Sequence, residues 1–368
     1  MKKRVLIYFP SNSLSVDQIS VMELLRKLGH EVFFLTWEPY GDLHKAVEGC
    51  GVKTFSTGLA KNNGIKGYIS HVQLLVKFIK EHKIDIVFAH MQALGLIAGI
   101  SKRFCTFKLY YFRHNTNAHL LDGNLNARVI NQLTNRIVPK IIAVSRSVRD
   151  YLVQTEKVKA GKIIQVNLGF NFEHYEQYHN RERSVEIRKE YNAALLLICI
   201  GRFVPLKRHI LMFETVKRLK DLGKDVKLIC LGDGDLRKEL EEYISGNDLG
   251  ETIFLLGMKK NVLDYLEAAD ILLHFSESES FGIVVMEAGL VKRTVMVCDS
   301  VGVFNDFIHT GENGFRVSKE NPVDEAIKIL SGINGRVLQE MGENFHATIL
   351  KEYDIHNVKA SYERLLED

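Results

Sequence analysis

Short apolar runs alternate with longer segments of helical period along the whole of this chain, and this alternation restricts its fold more than any other feature. Between the runs, residues 15–28 and 71–81 carry apolar side chains at helical spacing. Strands that alternate with helices form parallel sheets with right-handed crossovers, so the pattern predicts an α/β fold. The predicted strands of the first half are Arg4–Phe9, Glu31–Thr36, Ile84–Ala89, Leu109–Arg113 and Ile141–Val144.

The same pattern returns in the second half, and 368 residues are about right for two domains. A polar segment, Glu173–Glu190, separates the halves and is predicted to be the linker. We therefore expect one domain over 1–172, a second over 190–349, and a closing helix at Val358–Leu366. The predicted strands of the second domain are Leu195–Ile200, Val226–Leu231, Thr252–Leu256, Ile271–Phe275 and Thr294–Cys298.

Charge divides unevenly between the halves. Residues 1–180 contain 24 Lys and Arg against 13 Asp and Glu, a net of +11, whereas residues 181–368 have a net of −7. The first half therefore suits an anionic partner, and both nucleic acid and an anionic membrane surface meet that description. No nucleic-acid recognition motif is present, so we expect no nucleic acid partner. No apolar stretch reaches the ~20 residues that a membrane span requires.

Ligands of open parallel sheets bind beyond the carboxyl ends of the strands, which directs attention to the loops there. The first such loop, Pro10–Ser15, lacks Gly-x-Gly-x-x-Gly, which argues against a dinucleotide-dependent dehydrogenase. The chain contains no Gly-x-x-x-x-Gly-Lys-Ser/Thr sequence, which excludes a P-loop. The histidines show no metal-binding spacing such as His-Glu-x-x-His.

The loop after Leu195–Ile200 concentrates positive charge. Gly201 permits a sharp exit from the strand, and Arg202 and Lys207 place two cations at the strand end. A guanidinium fork and an ammonium group together suit a diphosphate.

The loop after Ile271–Phe275 is acidic and precedes an apolar helix. Gly282 lets the backbone approach a ligand, and the helix start offers N–H groups to an anion. Glu279 lies in the loop and Glu287 lies about one turn into the helix. Two carboxylates would repel a phosphate, so sugar and ribose hydroxyls are their natural partners.

The segment from Ser276 to Ala288, with Glu279 and Glu287 eight positions apart, closely resembles the signature of glycosyltransferase family 4. Gly201-Arg202-x-Val-Pro-x-Lys207 resembles the phosphate-binding loop of the same family. In the second half, Leu231–Leu236 resembles the second glycine loop of the family, and Phe254–Met258 resembles the turn whose backbone reads the base. In the first half, Asn167–Asn171 resembles the element that ends the first domain, and Lys27–Val32 resembles the first helix-to-strand connection of the family.

The resemblance implies the GT-B fold, in which two Rossmann-like domains face each other across a cleft and a C-terminal helix, here 350–368, returns to the first domain. It implies a retaining enzyme of hexosyltransferase class that moves a sugar from a nucleotide diphosphate-sugar to a glycan or lipid-linked acceptor, in cell-surface polysaccharide or glycolipid synthesis. It also implies no cofactor and no metal, the nucleotide-sugar being a co-substrate.

The resemblance assigns roles to the second-domain residues. Arg202, Lys207 and the helix start near Gly282 would stabilise the leaving diphosphate, while Glu287 would hold ribose and Glu279 the donor sugar. The Asp233-Gly234-Asp235 sequence is interpreted as a glycine turn rather than a metal motif. The donor-binding set is completed by Gly201, Gly232, Gly257, Met258, Ser280, Phe281 and Ile283.

In the first domain, His114 follows a strand at a point where the family often has a histidine near the donor sugar. His90 is a second candidate at a strand end. Ser11, Asn12 and Ser13 form the loop on the acceptor side, where family members often carry a glycine pair, and Ser280 stands where glycine is commoner. These departures bear on which sugar is transferred.

Two alternatives stay open at this stage: a nucleotide-sugar epimerase of the same fold, which needs no acceptor, and a non-catalytic carbohydrate- or membrane-binding relative. The intact Arg202, Lys207, Glu279 and Glu287 argue against the second. We expect a cytoplasmic protein that attaches peripherally to the inner face of the membrane, because Lys102–Lys108 and Lys61–Tyr68 combine cations with aromatic side chains.

Overall fold

In the computed structural model, which describes residues 1–59, 64–114, 125–176, 179–279 and 281–367, the chain divides into two compact units. The first comprises Met1–Asn171 with Tyr353–Asp368, and the second comprises Phe172–Glu352. Each unit is built on a parallel sheet, as the alternating pattern predicts. No helix in these ranges is long and apolar enough to cross a membrane.

The first unit contains a seven-stranded sheet in the order β3-β2-β1-β4-β5-β6-β7. Its central strands are fully buried runs of Val, Ile, Leu, Phe and Tyr, as expected of a sheet covered by helices on both faces. The strands are β1 (Arg4–Phe9), β2 (Glu31–Thr36), β3 (Lys53–Ser56), β4 (Ile86–His90), β5 (Lys108–Arg113), β6 (Lys140–Ala143) and β7 (Ile163–Gln165).

Helices connect these strands, and the C-terminal helix packs in the same unit. The helices are α1 (Val16–Lys27), α2 (Asp42–Glu48), α3 (Ile65–His82), α4 (Gln92–Ser101), α5 (Leu125–Ile137), α6 (Arg146–Gln154) and, at the C-terminus, α16 (Ile355–Glu367). The N–H of Ile355 donates to the carbonyl of Phe170 at 2.9 Å, and a side chain at Gly169 would collide with Ile355. The predicted return of the C-terminal helix to the first domain is confirmed.

The second unit contains a six-stranded sheet in the order β10-β9-β8-β11-β12-β13. The strands are β8 (Leu195–Ile200), β9 (Val226–Leu231), β10 (Ile253–Leu255), β11 (Ile271–His274), β12 (Thr294–Cys298) and β13 (Phe315–Val317). The helices are α7 (Glu173–Glu176), α8 (Arg181–Glu190), α9 (His209–Asp221), α10 (Arg237–Gly246), α11 (Val262–Ala268), α12 (Ile283–Leu290), α13 (Phe304–Phe307), α14 (Pro322–Leu330) and α15 (Gly335–Tyr353).

The predicted linker, Glu173–Glu190, is wrong, because this segment forms α7 and α8 and belongs to the second unit. Arg188 forms an ion pair with Asp270 at 2.8 Å, and the N–H of Asn180 donates to Asp264 at 2.7 Å. Polar groups of this segment, which resembles a solvated connector in composition, therefore hold it against α11 and the start of β11.

Candidate functional site

Each sheet reverses its strand order once, and ligands of this class of fold bind where that reversal opens a crevice. In the second unit the reversal lies between β8 and β11. The loop that follows β8 contains Gly201, Arg202 and Lys207, and the loop that follows β11 contains Glu279. Strand order thus brings the predicted cationic and acidic loops to one edge of one sheet.

The glycines of these loops permit direct contact between backbones. A side chain at Gly232 would lie 2.0 Å from the carbonyl oxygen of Gly201, so only glycine fits there. The N–H of Gly201 donates to Leu231, and the N–H of Phe203 donates to Asp233, both at 2.9 Å. The loop after β8 is therefore held against the loop after β9 in one arrangement.

The two predicted cations differ in their surroundings. Arg202 is exposed, and its guanidinium makes no hydrogen bond or ion pair with any residue that the structure describes. Lys207 ends a short 3₁₀ turn, Pro205–Lys207, and its ammonium forms an ion pair with Glu279. Since an ammonium group has three N–H donors, Lys207 can bind Glu279 and an anionic ligand together.

Glu279 is held by two groups besides its loop. Its carboxylate accepts from Lys207 and lies 3.3 Å from Nε2 of His274, the last residue of β11. Ser276 Oγ lies 3.1 Å from the same His274 nitrogen. Burial acts to raise the pKa of Glu279, but the His274 hydrogen bond and the Lys207 charge outweigh it and lower that pKa to about 2. Glu279 is therefore an anion throughout the physiological range.

Two buried histidines lie close to this ion pair. Burial lowers the pKa of His274, and burial with the charge of Lys207 lowers the pKa of His209 to about 4. Both rings are therefore neutral near pH 7 and add no charge of their own. The Phe203 ring packs edge-on against His209, with 4.9 Å between centroids.

The acidic loop is packed tightly against its neighbours. Gly282 adopts a left-handed conformation, φ 75°, and a side chain there would lie 2.5 Å from the Phe304 ring. A side chain at Gly302 would lie 2.6 Å from the carbonyl oxygen of Glu279. The N–H of Glu277 donates to the carbonyl of Leu206 at 2.8 Å, which connects this loop to the 3₁₀ turn Pro205–Lys207. Glu279 is thus fixed by packing as well as by charge.

Glu287 lies on α12 in a contrasting environment. Burial alone raises its pKa to about 7, and within the described ranges its carboxylate has no hydrogen-bond or ion-pair partner. Gly282 is the residue before this helix, and Ile283, its first residue, is 41% exposed. Glu287 is half-buried. A partly desolvated carboxylate without a partner is costly unless something else hydrogen-bonds to it, so Glu287 marks a position where a ligand would be stabilising.

The remaining donor-side residues fall around the same sheet edge. Gly257 follows β10, and its carbonyl accepts from the N–H of Gly232 at 2.9 Å. Met258 is 82% exposed, whereas Phe281 is buried against Phe307. Ser280 lies outside the described residues.

Asp233 has a structural explanation. Its carboxylate accepts from the N–H of Gly234 at 2.8 Å and from Arg237 at 3.3 Å, so it closes the turn that starts α10. Among described residues, no group of three or more His, Cys, Asp or Glu side chains is arranged to hold a metal ion.

The first unit brings its two predicted histidines together. His90 ends β4 and His114 follows β5, and Nδ1 of His90 lies 2.8 Å from Nε2 of His114. His90 is buried between Phe9 and Phe112, with its ring stacked on Phe112 at 4.7 Å. Burial lowers the pKa of both rings, so the pair is neutral and one ring donates to the other.

The predicted acceptor-side loop follows β1, at the reversal of the first sheet between β1 and β4. Ser11 Oγ and the N–H of Asn12 both donate to the carboxylate of Glu38, at 3.1 and 2.9 Å. The N–H of Ser13 donates to Ser11 Oγ at 3.1 Å. The loop is therefore fastened to the end of β2 by its own polar side chains.

Sequence reasoning missed two residues that organise these loops, His274 and Glu38. His274 lies within a predicted apolar strand, and the signal for its role is that it is a polar residue at the end of a buried strand next to the acidic loop. Glu38 follows β2 outside any motif, and only its contact with the β1 loop reveals its role.

Family comparison agrees with this geometry. Residues 180–367 match the model of the glycosyl transferases group 1, and residues 19–174 match that of glycosyltransferase family 4. The chain is 27% identical over 314 residues to an uncharacterized glycosyltransferase of Methanocaldococcus jannaschii, which covers 83% of each chain. It is 25% identical over 221 residues to a poly(ribitol-phosphate) alpha-N-acetylglucosaminyltransferase of Staphylococcus aureus, 59% of this chain and 44% of that one.

Solved structures share the fold over the full length. Anabaena HepE, crystallised in complex with UDP, superposes with a TM-score of 0.81 at 18% sequence identity, covering 100% of both chains. The expected GT-B fold is confirmed by this likeness and by the two parallel sheets. Because the group 1 model alone matches more than half of the residues, the chain belongs to the group 1 glycosyltransferases and is a sugar-transferring enzyme.

Proposed function

We propose that this enzyme is a retaining hexosyltransferase that moves a sugar from a nucleoside diphosphate-sugar to a glycan or lipid-linked acceptor in cell-surface polysaccharide or glycolipid synthesis. The observation that carries the proposal is that the cationic loop after β8 and the acidic loop after β11 meet where the strand order of the second sheet reverses, joined by the ion pair between Lys207 and Glu279. HepE, which was also solved with UDP-glucose, supports the donor class, and the poly(ribitol-phosphate) transferase supports a polymeric acceptor.

The cations suit the departure of a diphosphate. Negative charge grows on the leaving phosphate as the bond to the anomeric carbon breaks, and donors fixed in place stabilise that charge. Arg202 extends from the turn without a protein partner among the described residues, and Lys207 retains N–H donors beyond its contact with Glu279. The N-terminus of α12 adds backbone N–H groups at the same loop.

The carboxylates suit the hydroxyl groups of the donor. We assign Glu279, a fixed anion, to the sugar, and Glu287 to the ribose, whose hydroxyls would donate to it. Gly257 and Met258 would present the base with backbone groups at the end of β10. Glu279 is already neutralised by Lys207, so the leaving phosphate, rather than a protein carboxylate, would accept the acceptor's proton.

We assign the first unit to the acceptor side. His114 and His90 would lie at the reacting end of that unit, with His90 orienting His114 through the 2.8 Å contact. The reaction would need no metal, and activity that survives an excess of chelator would support this assignment.

The +11 charge of the first unit, with 26 Lys and Arg against 15 Asp and Glu, would favour peripheral attachment to an anionic membrane surface.

The experiment that tests this function is a hydrolysis screen of the purified enzyme against UDP-, GDP- and ADP-sugars. We expect slow release of sugar from one nucleotide class, and transfer with retained anomeric configuration once an acceptor is supplied. An epimerase would instead convert the donor to its epimer without an acceptor. No turnover with any donor would contradict the proposal.

His274 supplies a further prediction, because it positions Glu279. We expect His274→Leu to lower kcat/KM for the donor about tenfold, since a hydrogen bond to a charged group contributes roughly 1.5–3 kcal/mol. His274→Gln keeps a side-chain donor, and we expect it to restore most of the loss. The measurement is donor kinetics on both variants at matched Tm. Equal losses in the Gln and Leu variants would show that the ring fills space only.

A further inference from the structure

An exposed apolar groove lies between α3 and α4 on the first unit, and none of the site residues described above lines it. Its volume is about 850 Å³, and among its lining residues are Ile65, Ile69, Val76, Leu96 and Phe104. Ile65 is 82% exposed, Phe104 59% and Ile69 52%. Side chains of this size exposed together on one surface mark an interaction site.

The groove exists because α3 carries more apolar surface than its sheet can cover. Leu75, Phe78 and Ile79 are buried in the core of the unit. Ile65, Ile69 and Val76 fall on a neighbouring stripe of the same helix, at spacings of about one and two turns. This second stripe faces the open groove.

Cations border the groove. Lys77 and Lys80 line it, and Lys66 lies about three turns before Lys77 on the same face of α3. Arg103 is exposed beside Phe104 at the end of α4. None of the described residues that line the groove is acidic. Apolar side chains flanked by basic ones match the boundary between acyl chains and anionic headgroups.

We propose that the surface formed by α3 and the end of α4 docks on an anionic lipid bilayer, with Ile65, Ile69 and Phe104 entering the headgroup boundary. Charge complementarity selects this partner, because the lysines that border the groove would repel one another in a pair of identical subunits but face negative charge on a membrane. The proposal names the surface responsible for the membrane attachment proposed above and does not depend on the transfer reaction.

The test is sedimentation of the full chain with vesicles of phosphatidylcholine alone or mixed with phosphatidylglycerol, at low and high salt. We expect binding to the anionic vesicles only, weakened by salt. The double variant Ile69→Ser/Phe104→Ser should bind at least about tenfold more weakly, because each side chain contributes roughly 1.5–3 kcal/mol when buried. The triple variant Lys66→Gln/Lys77→Gln/Lys80→Gln should bind about 100-fold more weakly, at roughly 1 kcal/mol for each lysine.

Two control variants match these changes elsewhere. Leu222→Ser removes a similarly exposed apolar side chain from the second unit, and Lys2→Gln/Lys27→Gln/Lys159→Gln removes three exposed lysines from the first unit. We expect the apolar control to bind like the parent and the lysine control to lose much less than the groove triple variant.

Three results would overturn the proposal: equal binding to neutral and anionic vesicles, equal losses in controls and groove variants, or a lipid-free dimer that the double variant converts to monomer. Donor hydrolysis without vesicles, measured on every variant, separates the two proposals. If neither the parent nor any variant hydrolyses a donor, while vesicle binding is lost in the groove variants and kept in the controls, the proposed function is wrong and the proposed docking surface is supported.

Discussion

Replacing Arg202 or Lys207 with alanine should lower the rate of sugar transfer or donor hydrolysis by roughly two to three orders of magnitude, the effect of removing one fixed stabiliser of transition-state charge. The loss at Lys207 should be the more complex of the two. Its removal also leaves Glu279 with one partner fewer in a largely buried setting, so the pKa of Glu279 should rise. Donor KM should therefore change more in the Lys207 variant.

The matched control for both substitutions is Arg336→Ala. Arg336 is exposed on α15 and pairs only with Glu340 among described residues, one helical turn away, so its loss should leave the rate unchanged. Steady-state kinetics on the three variants provides the comparison. Near-normal turnover in both site variants would remove the assignment of a diphosphate to this turn.

Glu287→Gln should weaken binding of the free nucleoside diphosphate by about 1–3 kcal/mol, or roughly 5- to 100-fold, because it replaces the carboxylate that accepts from ribose. The same substitution should stabilise the unliganded protein above pH 7. Opposite effects on ligand affinity and stability would distinguish a binding carboxylate from one that supports the fold.

The sign of the stability change follows from the raised pKa of Glu287, about 7 when folded. Between the ordinary glutamate range and pH 7, the unfolded chain binds fewer protons at this residue than the folded chain, so stability falls as pH rises through that window. Glu287→Gln should thus raise Tm at pH 8 and leave it nearly unchanged at pH 4.

Thermal unfolding at the two pH values and calorimetric titration of the nucleotide provide the measurements. Glu239→Gln is the control, because Glu239 is an exposed acid on α10 with no ion-pair partner in the described part of the chain. Equal nucleotide affinity for the Glu287 variant and the parent would contradict the assignment of Glu287 to the ribose.

The central strands were predictable because burial on both faces demands continuous apolar runs. β1, β2, β8, β9 and β12 begin and end where the sequence predicts. The three strands that the sequence does not predict, β3, β7 and β13, all lie at sheet edges and are three or four residues long. An edge strand is half exposed and pairs on one side only, so it needs neither length nor a continuous apolar run.

The site was predictable in part for a related reason. The alternation of elements predicts parallel strands, and the loops that follow parallel strands meet at the carboxyl edge of the sheet. Arg202, Lys207 and Glu279 could be assigned to that edge because they follow predicted strands directly. The pairing of His90 with His114 depends on packing across neighbouring strands, and that of His274 with Glu279 depends on how the loop after β11 folds back, neither of which a local pattern encodes.

The segment predicted to be a linker shows why a charged helix is difficult to predict from sequence. Arg181–Glu190 is rich in charge and has few apolar residues, a composition typical of a solvated connector. Ile187 and Ser184 are nevertheless buried within the second unit. A helix that buries one narrow face and anchors itself by ion pairs gives little signal in a search for apolar runs.

Titration calorimetry of UDP, GDP and ADP tests most directly whether the loops after β8 and β11 bind a nucleoside diphosphate. The parent protein should bind one of the three, and a variant with both Arg202 and Lys207 replaced by alanine should bind that nucleotide at least about 100-fold more weakly, since hydrogen bonds to charged groups contribute roughly 1.5–3 kcal/mol each. Absence of binding by the parent, or equal binding by parent and double variant, would contradict the account.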